Sequence, residues 1–150
     1  MRTVPTLALV VVALLTACSA DEPAGAGTSA THTGWLRDRQ ASGTIVIDPA
    51  LLLSGQKAIE AARIDRHLPS DGTLPNDFYV DDDEAVTVEY RVAQNVVVAL
   101  YDCATTCELQ PVAADAFLDG RVEPHGGSNA LVSLVLRGDE VVRISEIYLP

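Results

Sequence analysis

The sequence predicts an α+β fold: a small, mostly antiparallel sheet packed with one main helix. Three stretches carry that prediction. Val86, Val88, Tyr90 and Val92 alternate with Thr87, Glu89 and Arg91, the two-residue period of a strand with one buried face. Leu131–Leu136 and Val141–Leu149 flank Arg137-Gly138-Asp139-Glu140, where the glycine supplies the positive φ of a tight hairpin turn. Between Ser54 and His67, Ala58, Ala61, Ala62 and Ile64, continued by Leu68, line one helical face, and Glu60, Arg63 and Arg66 the other.

The chain opens with Met1-Arg2-Thr3 and an apolar run from Val4 to Leu15, 12 residues long. A bilayer-spanning helix needs about 20 residues, so the run reads as a secretory signal. Its end, Leu15-Thr16-Ala17-Cys18, resembles the lipobox of bacterial lipoproteins: an aliphatic residue, two small ones, then cysteine. The resemblance implies that residues 1–17 are removed as a lipoprotein signal peptide. It also implies that Cys18 becomes the diacylglyceryl-bearing N-terminus, holding the protein to the cell membrane on its extracytoplasmic face. Two or more acyl chains anchor a protein stably where one holds it marginally. Residues 18–43 begin small, polar and Gly-rich, the composition of a flexible tether with a reach of about 25 Å. Trp35 stands out in it and is expected to pack on the edge of the folded domain.

Residues 44–150 are expected to form one α+β domain. Thr44–Asp48 reads as a strand stopped by Pro49, and Ser54 as the N-cap of a helix reaching about His67. Pro69-Ser70-Asp71-Gly72 ends it. Phe78–Val80 reads as a short strand entering the acidic turn Asp81-Asp82-Asp83-Glu84. Val96–Tyr101 is apolar on both faces and is expected to be a central strand covered on both sides. Val112–Leu118 allows a helical turn or two before the closing hairpin. From Phe78 onward, the order of strands and helix matches that of an OB-like barrel.

Asn76-Asp77-Phe78-Tyr79-Val80, with Gly138, Val142-Arg143-Ile144, Glu146, Tyr148 and Pro150, is similar to a pattern in small secreted actinobacterial lipoproteins. That resemblance implies a compartment and brings no catalytic residue with it.

Formal net charge is −11, from 21 acidic and 10 basic residues. Cleavage after residue 17 removes Arg2 and no acid, leaving nine basic residues against 21 and a charge of −12. So acidic a chain lacks the clustered Lys and Arg that nucleic acid or an anionic membrane surface requires.

With Cys18 committed to lipid, Cys103 and Cys107 remain in an oxidising compartment. A small-loop disulfide is expected, worth about 2 kcal/mol for so short a loop. The alternative for this loop is a metal site completed by His125, since Cys-x3-Cys with a downstream His resembles the pattern of copper chaperones. Asp81, Asp83 and Glu84 are weak calcium candidates: four consecutive acids cannot all face one ion, and the glycine-punctuated spacing of a calcium loop is missing. Glu146 shares a strand face with Tyr148, so the pair is a possible pocket, with Arg91 or Arg121 as partners for a carboxylate expected to be half exposed. His67 sits where a helix C-terminus favours a cation. The sequence has no Gly-x-Ser-x-Gly elbow and no Walker or dinucleotide glycine pattern. The expectation is therefore a non-enzymatic, membrane-anchored binding or interaction module without cofactors. A metal-handling or hydrolytic envelope protein using the Cys103–Cys107 loop and His125 is the alternative.

Overall fold

The computed structural model describes residues 28–82 and 86–149. Cys18 and the lipobox, the first part of the expected tether, and Asp83 and Glu84 lie outside the described residues. The strands are β1 (Ser29–Gln40), β2 (Thr44–Pro49), β3 (Leu51–Ser54), β4 (Phe78–Asp81), β5 (Val88–Asp102), β6 (Glu108–Val112), β7 (Leu131–Arg137) and β8 (Glu140–Ile147). The helices are α1 (Gly55–Ile64) and α2 (Ala114–Leu118).

Five of the strands close into a barrel. Around the ring, β1 pairs with β2, β2 with β5, β5 with β8, β8 with β7, and β7 with β1. Every pairing is antiparallel except β5–β8, which is parallel. This is the small α+β barrel that the sequence predicts, in a Greek-key order of the OB type. Its members differ from those expected. The first barrel strand is β1, which lies within the stretch read as tether, so the folded unit takes in Ser29–Gln40 as well as the residues from 44 onward. Small and polar as it is, Ser29–Thr33 pairs with β7 along its whole length, because the barrel supplies the backbone partners that composition cannot.

The stretches expected as separate strands at 86–92 and 96–101 form one strand, β5, which starts at Val88 and leaves Val86 and Thr87 outside it. Its register against β8 shifts between Val92 and Val97, and that irregularity bends it. The bend lets β2 pair with its first half, while β6 takes its second half. Val97 is 45% exposed, so the expected double cover is wrong: Val98 and Leu100 face the core and the outer face meets solvent.

The core comprises Ile45, Ile47, Val98, Val132, Leu134, Val141 and Ile144, with Leu36, Val92, Val96, Leu100 and Leu136 around them. Phe117 of α2 is fully buried against this cluster, and Arg39 stacks over its ring at 4.9 Å while pairing with Glu123. The main helix packs elsewhere. α1 connects β3 to β4 and lies on the two-stranded antiparallel sheet they form outside the barrel, burying Ala58 and Ala62. Ile64, expected on its apolar face, is 75% exposed because the helix ends there. Arg66 takes φ 61° just beyond, and the His67 and Leu68 amides close back on the Ala62 carbonyl. His67 Nδ1 lies 2.7 Å from the Tyr79 hydroxyl, which donates to Asp65 at 2.8 Å, clipping the helix end to β4.

β1 runs between β2 and β7, and Gly34 sits where all three meet, opposite Pro49 and Val132. A Cβ at Gly34 would collide with the Asp48 backbone carbonyl. Asp48 is itself buried, held by Arg37 through Nη2 at 2.7 Å and Nε at 3.2 Å. Gly34→Ala therefore must push β1 off β2, at a cost of about 1–3 kcal/mol, the range for overpacking. The expected result is a lower urea midpoint with an unchanged slope; an unchanged midpoint would show that the strands yield without cost.

Candidate functional site

One end of the barrel gathers the residues that the sequence scatters. β5 ends at Asp102 and β6 begins at Glu108, and these two residues pair across the hairpin. Between them Cys103 and Cys107 form the expected disulfide, their Cα atoms 4.0 Å apart. Asp102 accepts the Ala104 amide at 3.0 Å, folding the start of the loop.

Glu146 organises the same end. A bulge in β8 opposite Val135 and Leu136 turns Val141, Ile144 and Glu146 to the inside of the barrel wall. Glu146 is 5% exposed, where half exposure was expected. Neither expected arginine reaches it: Arg91 pairs with Asp139, and Arg121 with Asp115 and Asp119. Its partners are backbone amides. Oε2 accepts from Tyr101 at 2.9 Å and Oε1 from Gly126 at 2.8 Å, so both carboxylate oxygens are used. Short hydrogen bonds to a charged acceptor offset the burial of the charge.

The Gly126 bond draws in the loop that carries His125. Its ring lies against Tyr148, centroids 6.1 Å apart, and Tyr148 lies against Tyr101 at 5.4 Å. Glu146, Tyr148, His125 and Asn129 line a small pocket of about 50 Å³. Beside it, the ligand atoms of Cys103, Cys107 and His125 fall within 4.8 Å of one another, the one such grouping among the described residues. Cys103 is half-buried; Cys107 and His125 are exposed.

A larger cleft of about 720 Å³ lies between β1, the β2–β3 corner and the end of β4. Pro49, Ala50, Leu51, Leu52 and Val86 form its apolar side, and Thr31, His32, Thr33, Asp81 and Asp82 its polar side. Leu51 and Val86 are 62% and 49% exposed. His32 is fixed there by a 2.8 Å hydrogen bond between Nδ1 and the Tyr90 hydroxyl, whose pKa burial pushes up. The sequence places His32 in a tether and so conceals this cleft; the Leu51-Leu52-Leu53 run after Pro49 is the one signal of it. Of the calcium candidates, Asp81 lines the cleft, and Asp83 and Glu84 lie outside the described residues. Trp35 is half-buried in β1, between Asp48 of β2 and Leu131 of β7.

No family model, curated protein or solved structure matches this chain.

Glu146→Gln turns an amide N–H toward one of the two backbone donors. The expected loss is about 1–3 kcal/mol in denaturant unfolding, with faster amide exchange at Gly126 and Tyr101. Unchanged protection at both amides would show that Glu146 is not what holds the His125 loop.

Proposed function

We propose that this protein is a membrane-anchored, extracytoplasmic binding module that seats a small, largely apolar ligand. The observation that carries the reading is the cleft beside His32. Its volume falls within the roughly 300–1,000 Å³ of small-molecule sites, and it joins an exposed leucine wall to a few fixed polar groups. Isolated exposed leucines need no explanation, but adjacent ones lining a concavity do. Binding rather than turnover follows from the sequence, which carries none of the nucleophile or phosphate-loop motifs sought in it. The anchor rests on the lipobox resemblance of Leu15–Cys18 and on the acidic surface, which offers no attraction to anionic lipid.

Two measurements test this. Cys18→Ala should move the protein from the membrane to the soluble fraction; equal membrane retention would remove the anchor. Leu52→Asp places a charge on the apolar wall. Native mass spectrometry of the full chain purified from envelope membranes should find a bound small molecule on the wild type and not on this variant, with the circular-dichroism spectrum unchanged. A wild-type chain that carries nothing, and shows no thermal shift with envelope lipid extracts, would overturn the ligand reading.

A further inference from the structure

We propose that Cys103, Cys107 and His125 form a redox-gated site for a soft d10 cation, Cu⁺ or Zn²⁺, available only when the disulfide is reduced. The site shares no residue with the cleft beside His32, so it stands independently of the ligand reading.

The three ligands come from two separate loops, and the fold brings them together. Cys103 and Cys107 close the β5–β6 turn, and His125 follows α2, held in place by the Glu146–Gly126 bond. Two thiolates and an imidazole make a donor set suited to Cu⁺ and Zn²⁺ and poorly suited to the oxygen-seeking ions. Metal–sulfur bonds of about 2.3 Å and metal–nitrogen bonds of about 2.0 Å set ligand atoms roughly 3.5–4 Å apart. The 4.8 Å bound holds with the two sulfurs still bonded to each other, so reduction must let them part while His125 closes in by about 1 Å. Exposure of Cys107 and His125 lets the loop adjust by that amount and leaves an open coordination position.

Local charge favours a cation over thiol catalysis. The two loops, residues 102–108 and 123–129, contain no Lys or Arg; they carry Asp102 and Glu108, and Glu123, which pairs with Arg39. Reactive thiols occupy electropositive surroundings that stabilise the free thiolate. Here the acidic loops favour a bound positive ion instead.

Opening the site requires a dithiol reductant. One thiolate of that reductant attacks the exposed Cys107 sulfur, breaking the Cys103–Cys107 bond and releasing the Cys103 thiolate. Its second thiolate then attacks the mixed disulfide and frees Cys107. The reductant leaves as a disulfide, having given up two electrons, and two protons complete the cysteine thiols. Metal binding displaces both protons as the two thiolates and a neutral His125 nitrogen ligate the ion.

The test uses the full lipidated chain in detergent micelles, reduced with a dithiol that is then removed under anaerobic conditions. Cu⁺ and Zn²⁺ are titrated separately against a competing chelator. The expected result is one equivalent bound by the reduced chain and none by the oxidised chain. X-ray absorption should count two sulfurs and one nitrogen from the protein. His125→Ala should remove the nitrogen and weaken binding at least about tenfold, since losing even a contact behind a ligand costs that much. Cys103→Ser with Cys107→Ser should abolish binding, while Leu52→Asp should leave it unchanged. Binding by the oxidised chain, no binding by the reduced chain, or an affinity indifferent to His125→Ala would each overturn the proposal. Which ion is held more tightly identifies the cation.

Discussion

The carboxylate of Glu146 is the interaction on which the arrangement at the barrel end depends. A buried charge is costly unless every lone pair that water would have served finds a donor. Glu146 meets that demand with two backbone amides, one at the end of β5 and one in the loop after α2. Those segments are 25 residues apart in the chain and belong to different elements. Joining them places His125 beside the Cys103–Cys107 loop and Tyr148 between His125 and Tyr101. A side-chain partner such as arginine would have held the charge equally well without fixing the backbone of either loop.

Barrel closure has its own dependence, on the junction of β1 and β2. Among the described residues β1 is the only strand that bridges β2 and β7, so the ring closes only if it crosses close to both. Gly34 permits that approach, and the Arg37–Asp48 pair spans the same two strands. α1 contributes little to closure. It covers the β3–β4 pair, and β3 lines one side of the large cleft with Leu51 and Leu52, which the barrel core does not use. The two candidate sites thus draw on different parts of the molecule: one on the barrel's own end, the other on the seam between β1 and the β3–β4 appendage.

Much of the fold was legible because local chemistry and tertiary demand agree. The β7–β8 hairpin follows from alternating apolar residues around Gly138, which does take a positive φ of 64°. The helix from Gly55 follows from its alanines, and the disulfide from two cysteines left after one is assigned to lipid. Where the two disagree, local reading fails. Ser29–Thr33 looks like tether and is a barrel strand, because backbone pairing to β7 outweighs composition. Val96–Tyr101 looks doubly covered, yet one of its faces is open, because apolar residues on a barrel's outer wall are tolerated singly.

The sequence by itself determined the α+β class, the closing hairpin, the disulfide pairing and the acidic character of the chain. Each of these is written in neighbouring residues or in a charge total. Only the tertiary structure decided that β1 completes a five-stranded barrel and that Glu146 is buried on backbone amides. It alone brought His125, 18 residues from Cys107, next to both sulfurs. The physical reason is common to all three: backbone partners and loop-to-loop proximity depend on closure of the whole ring, and no local pattern of side chains encodes which distant amide or sulfur the ring will bring near.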